Sequence, residues 1–151
     1  MATKLYFEDL AIGLVLRSDR VTVAGEDIIA FARAFDPQPF HTDAAAAKDS
    51  IFKGLAGSGW HTAALTMRLM AQGGLPLAGG IIGNGIDELR WPRPMRPGDT
   101  LRVESEVVEL RPSVSRPSHG WAKIRNTTYN QLDQVVQSMV ATVTVPRRIQ
   151  D

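Results

Sequence analysis

The sequence predicts an α+β fold, an antiparallel sheet packed against a long helix. Apolar residues recur at helical spacing in the first half, and after Gly80 the periodicity changes to runs rich in β-branched residues. Those runs, Gly80–Trp91, Thr100–Leu110, Gly120–Tyr129 and Val135–Val145, succeed one another without intervening helices. Helices leading into consecutive strands argue against an alternating parallel arrangement.

Before the helices, apolar residues at the alternating positions Leu14, Leu16, Val21 and Val23 predict a first strand over Leu14–Val23. From Glu26 to Phe35 the apolar positions Ile28, Phe31, Ala32 and Phe35 line one helical face, with Glu26 and Asp27 in the first turn where the macrodipole favours them. Pro37 stops this helix. Thr42 or Asp43 caps the short run Ala44–Lys48, and capping is preferred to catalysis as the role of Asp43.

Trp60–Gln72 is apolar nearly all round, which predicts a helix buried in its own domain or against a partner, ended by Gly73-Gly74. Its exception, Arg68, is expected near an end or reaching outward. The four consecutive strands predict an antiparallel meander, with the Pro- and Ser-rich Arg111–Ser118 as a long hairpin loop.

A chain of 151 residues has the length of one domain, expected to span 1–151. Its 44% hydrophobic and 22% charged content argues against disorder, and no apolar run is long enough to cross a bilayer. A net charge of +1 argues against a nucleic-acid partner. The absence of cysteine removes disulfides and thiolate chemistry. Met1–Leu10 shows scattered charges and no export signal, so a cytoplasmic location is the expectation.

The most informative stretch is Phe35-Asp36-Pro37-Gln38-Pro39-Phe40-His41-Thr42-Asp43. Each proline fixes its own φ and biases the residue before it, so Asp36, Gln38 and His41 leave a stiff turn in set directions. A carboxylate and an imidazole so placed can share one water molecule and move its protons. In the plainer reading, Asp36 ends a helix and His41 satisfies a local backbone group. The next stretch of chain favours catalysis: Gly57-Ser58-Gly59-Trp60-His61-Thr62 opens the longest apolar helical pattern in the sequence.

In combination these residues resemble the MaoC-like acyl dehydratases, also called R-specific enoyl-CoA hydratases, whose hot-dog fold wraps a sheet around a long central helix. That family's motif runs Asp-x-Asn-Pro-x-His, matched in spacing by Asp36, Pro39 and His41. Gly59 matches the glycine opening the helix, and Trp91-Pro92-Arg93-Pro94-Met95-Arg96-Pro97-Gly98-Asp99 matches the turn after a strand. Gln38 stands where the family has asparagine, and Ser58 where it has histidine. The resemblance covers almost the whole chain.

The resemblance implies reversible hydration of a trans-2-enoyl-CoA in fatty acid metabolism, with Asp36 and His41 sharing the acid and base roles. Gly59 is the candidate for oxyanion stabilisation, because a helix start offers free N–H groups where no side chain blocks approach. Gln38, Ser58 and Trp60 are expected around the substrate, with Trp60 narrowing an acyl pocket, and Trp60 and Met67 defining its depth only in the folded assembly.

Arg93 and Arg96, in a basic cluster with Arg90, can meet the polyphosphate of coenzyme A or be solvated strand edges, as can Arg111, Arg116, Lys123 and Arg125. No metal is expected, since no pair of histidines has ligand spacing on a helix, and no cofactor is expected beyond the coenzyme A of the substrate. His61 is expected to pack within its helix, and His119 has no assigned role. The family implies a homodimer with sites completed at the interface. A thioesterase on the same fold and a non-catalytic acyl-CoA binding module remain alternatives.

Overall fold

The computed structural model describes residues 3–148. Two short strands, β1 (Val15–Arg17) and β2 (Val21–Thr22), precede three helices, α1 (Gly25–Phe35), α2 (Pro39–Thr42) and α3 (Ala44–Lys48). Helix α4 (Gly59–Leu69) runs into a π-helical turn, Met70–Gly74, and strands β3 (Ile82–Arg90), β4 (Thr100–Pro112), β5 (His119–Tyr129) and β6 (Val135–Pro146) complete the chain. Asp43 caps α3 as expected, its carboxylate accepting from the Ala45 and Ala46 N–H groups. Gly73, at φ +130, takes the left-handed backbone that ends the α4 run.

The single strand expected over Leu14–Val23 is two. Both pieces pair antiparallel with β4, Val15 opposite Glu106 and Val21 opposite Leu101. Between them the Ser18 hydroxyl takes the Val103 N–H at 2.8 Å, so a side chain replaces one rung of the ladder.

The sheet order β1-β4-β5-β6-β3 also corrects the expected four-strand meander. β4, β5 and β6 are such a meander, but β3 pairs with β6 at the opposite edge, Ile82 facing Thr144. The connection after β3 explains this: Pro92, Pro94 and Pro97 remove donors that a hairpin would need, and Gly98 turns at φ +86.

Burial alternates along β4 and β5, so one face of the sheet points inward. That face supplies Val103, Val107, Ile124, Val143 and Val145 to a core shared with Ile28, Leu69, Met70 and Leu75. Helix α4 departs from the expectation of an apolar rod. Its buried residues are His61, Thr62, Thr66 and Leu69, while Trp60 and Met67 are exposed. Inward sheet positions near it are also polar: Ser105, Asn126, Thr128 and Gln137 are all buried. They satisfy one another and the helix, as where the Thr66 and Thr128 hydroxyls meet at 2.6 Å and Ser105 donates to Asn126 Oδ1 at 2.7 Å.

β3 is an edge strand and is exposed along nearly its whole length, Ile82 and Ile86 included. Among the described residues no helix is long and apolar enough to cross a membrane.

Candidate active site

Helix α1 ends where Asp36 takes up a non-helical conformation, its N–H still bonded to the Ala32 carbonyl at 2.8 Å. The Gln38 N–H returns to the Asp36 carbonyl at 2.8 Å, and Pro39 then opens α2 at the position where a missing N–H is harmless. The two prolines therefore hold Asp36 and His41 on one side of a tight turn, and His41 is buried.

Orientation of the imidazole is set by its neighbours. His41 Nδ1 lies 2.5 Å from the Ala56 carbonyl oxygen, which can only accept, so Nδ1 carries a proton. Nε2 is left facing Asp36, 3.4 Å from Oδ2. The Phe40 ring packs edge-on against the imidazole at a centroid distance of 4.6 Å and limits its rotation. Gln38 Nε2 donates to Asp36 Oδ1 at 2.5 Å, so each carboxylate oxygen has a separate neighbour.

Partial burial pushes the Asp36 carboxyl up, but hydrogen bonds from the Ser58 and Gln38 side chains, with the attraction of His41, outweigh it and hold the group below its ordinary value. The folded protein therefore releases this proton more readily than the unfolded chain. The associated stability is present above the ordinary aspartate value and lost as pH falls through the lowered one. Ser58→Ala is expected to raise the Asp36 titration midpoint, monitored by carbon NMR of its carboxyl; an unchanged or lower midpoint refutes the role given to the Ser58 hydroxyl.

The loop carrying the Ala56 carbonyl is braced from beneath. Arg96 donates to the carbonyls of Gly54 at 3.0 Å, Leu55 at 3.2 Å and Phe52 at 2.5 Å, and Gly57 N–H bonds the Met95 carbonyl at 2.7 Å. This differs from the expectation that Arg96 meets substrate phosphate. Its guanidinium is occupied by loop carbonyls, in a turn that Asp99 closes by accepting the Arg96 N–H at 2.8 Å.

Ser58 caps α4 by accepting the Trp60 N–H at 3.2 Å, and Gly59 is the first helical residue. A Cβ on Gly59 would come within 2.5 Å of the Trp91 ring, so glycine is required there by close approach. Trp60 meets Trp91 edge-on, with ring centroids 5.2 Å apart.

A cavity of about 420 Å³ joins these parts, within the range of small-molecule sites. Asp36 and His41 form its polar wall, Phe52, Trp60, Trp91 and Met95 its apolar wall, and Gly59 lies on the same surface. Of the residues expected from sequence, Asp36, His41, Gly59, Trp60 and Arg93 line this space. Gln38 is exposed and Ser58 fully buried, each supporting Asp36 from outside the lining.

Sequence reasoning missed Phe52 as part of the site, and it included Thr62, Trp91 and Met95 in motifs without placing them there. It also missed the Ala56 carbonyl that sets the His41 tautomer, since nothing in an alanine marks its carbonyl as an acceptor for a distant ring. In the single chain Met67 is exposed and outside the cavity lining, so any part it has in pocket depth belongs to the assembly.

His61 stacks on Phe31 at 4.6 Å, as a packed helix residue should, and burial holds its imidazole below the usual range against the pull of Asp27. The His119 imidazole meets the adjacent Ser118 hydroxyl through Nδ1 at 2.8 Å, away from the cavity. Among the described residues no group of three or more His, Cys, Asp or Glu side chains is gathered for a metal.

The family model described as MaoC like domain matches residues 10–130. The chain belongs to the MaoC-like family. Among solved structures, this MaoC-like chain is 53% identical to a MaoC-like dehydratase from Rhodospirillum rubrum, covering 97% of this chain and 99% of that one with a TM-score of 0.93. R-hydratase PhaJ1 from Pseudomonas aeruginosa is 28% identical, covering 96% and 88% of the two chains with a TM-score of 0.77. The 3-hydroxybutyryl-CoA dehydratase of Methylorubrum extorquens is 31% identical over 147 residues, 95% of this chain and 86% of that protein. The antiparallel sheet against α4 is the hot-dog arrangement of such MaoC-like proteins.

Proposed function

We propose that the protein catalyses reversible addition of water to a trans-2-enoyl-CoA, giving an (R)-3-hydroxyacyl-CoA. The observation that carries this reading is the Asp36/His41 pair, 3.4 Å apart on the wall of a cavity that also contains a helix start. Relatives named as an R-hydratase and as a 3-hydroxybutyryl-CoA dehydratase support the same class of reaction.

A water molecule held between Asp36 Oδ2 and His41 Nε2 loses a proton to one of them as its oxygen bonds to C3. The π electrons move toward the thioester carbonyl, and a proton delivered to C2 by the pair completes a net addition of H and OH. Negative charge on the thioester oxygen is met by the Gly59 N–H, one of the donors a helix start leaves without an intrahelical acceptor, and by the positive end of the α4 dipole. Trp60, Trp91 and Phe52 give the acyl group an apolar wall, and Arg93, on the cavity wall, meets the coenzyme A portion. The chemistry calls for no metal or prosthetic group.

The working form is a homodimer. Trp60 and Met67 on α4 and Ile82 and Ile86 on β3 are exposed apolar residues, and among the described residues β3 has no strand on its outer edge. An unpaired edge flanked by apolar side chains is a pairing surface. Light scattering should give a mass of twice 16.5 kDa; a monomer at working concentration refutes this part.

The reaction itself is tested with crotonyl-CoA and a longer trans-2-enoyl-CoA. Loss of enoyl absorbance without free thiol is the expected result. Thiol release points to a thioesterase, and tight binding without turnover to an acyl-CoA binding module.

A further inference from the structure

Trp91 is one wall of the cavity, yet its indole is not held by the cavity. Its Nε1–H donates at 2.9 Å to Oε1 of Gln137, a fully buried residue on β6 that does not line the site. Gln137 occupies an inward position in the same alternation as Met139, Ala141, Val143 and Val145, where an apolar side chain would ordinarily stand. A polar residue there costs desolvation unless every group it carries is matched.

Each group is matched, and the chain of bonds leads back to the site. Gln137 Nε2 donates to Thr66 Oγ1 at 3.3 Å, Thr66 donates to the Thr62 carbonyl at 2.9 Å, and the Thr128 hydroxyl meets Thr66 at 2.6 Å. Thr66 lies on α4, the helix whose first residue is Gly59. Trp91 is therefore anchored, through Gln137, to the helix whose start its ring covers.

The fit at that start is close, because the Trp91 ring leaves no room for even a Cβ on Gly59. Tilting the indole would change two properties at once, the access of water to the Gly59 N–H and the direction from which a thioester oxygen approaches it. A donor in a water-excluded site is worth more than the same donor in water, and small displacements of such a group are costly.

We propose that Gln137 is a positioning residue for this reaction: acting through Trp91, it fixes the indole over the Gly59 start of α4 and so keeps the oxyanion donor dry and aimed. The inference rests on the hydratase reading. Trp91 is the contact with substrate, and Gln137 works only through it.

The experiment compares full-length wild type with Gln137→Met, Trp91→Phe and the double variant, using crotonyl-CoA turnover per folded molecule. Methionine keeps roughly the shape of glutamine and removes the acceptor; phenylalanine keeps an aromatic wall and removes the donor at a partly exposed position. Each single change is expected to lower kcat on the order of ten- to a hundredfold, with KM changed far less, and the double variant to be no worse than either single. Gln137→Glu, in its neutral form, keeps both an acceptor for Trp91 and a donor for Thr66 and is expected to recover part of the kcat lost in Gln137→Met, each variant being compared with wild type at the same low pH.

Unchanged kcat in well-folded Trp91→Phe overturns the proposal. So does a Gln137→Met protein whose melting temperature falls while kcat per folded molecule holds, because Gln137 would then only support packing. If wild type itself fails to hydrate any enoyl-CoA, the hydratase reading falls and takes this inference with it. An active wild type with unaffected variants removes the inference alone.

Discussion

Asp36→Asn and His41→Ala are each expected to lower hydration of crotonyl-CoA by about 10² to 10⁴ fold, the usual contribution of a positioned acid or base. The asparagine variant is the sharper test. It keeps the size and one carbonyl oxygen of the side chain while removing the charge, so the turn held by Ala32, Gln38 and the two prolines should persist. A proton taken from water then has no carboxylate to go to, and the positive charge that develops on His41 as it accepts a proton loses its partner at 3.4 Å.

His41→Ala removes both the Nε2 facing that carboxylate and the Nδ1–H bound to Ala56. Circular dichroism should remain native for both variants, and enoyl absorbance measures the loss. Wild-type activity in either would end the proposed mechanism.

Gly59→Ala should damage the protein by a different route. The added methyl would lie 2.5 Å from two ring carbons of Trp91 and 2.8 Å from a third, and a fused ring cannot fold away as a flexible chain can. Either the indole tilts or the helix start retreats. Overpacking of this kind costs about 1–3 kcal/mol, visible as a lower melting temperature. Displacing the oxyanion donor should lower kcat by about 10² to 10³ fold.

Gly57→Ala is the contrasting change. Its methyl would meet the terminal methyl of Met95 at 2.7 Å, the far end of a flexible side chain that can move. It should cost less stability and less activity than Gly59→Ala. Equal effects at the two glycines, or a fully active Gly59→Ala, would show that contact with the indole does not govern this position.

Much of the fold was legible because its signals are local. The α1 helix could be read from Ile28, Phe31, Ala32 and Phe35 at helical spacing, and the four strand runs from their β-branched residues. Their pairing was not legible. Nothing in Ile82–Arg90 says whether it pairs with the next strand or the last, since that depends on how the proline-rich connection crosses the fold.

The buried polar layer was also hidden. Thr62 and Thr66 read as ordinary members of an apolar helix, and Gln137 and Asn126 as interruptions of strands. Their meaning lies in hydrogen bonds to residues distant in the chain, 21 positions apart for Ser105 and Asn126, 62 for Thr66 and Thr128 and 71 for Thr66 and Gln137.

By itself, then, the sequence determined the stiff Asp36–His41 turn, the bare helix start at Gly59 and the kinds of element around them, because prolines, glycines and side-chain periodicity act on backbone within a few residues. Only the tertiary structure decided which nitrogen of His41 faces the carboxylate, that Arg96 supports a loop and that Trp91 closes over the helix. Each of these depends on a carbonyl or an amide brought from far along the chain, and sequence carries no local mark of where such a group will arrive.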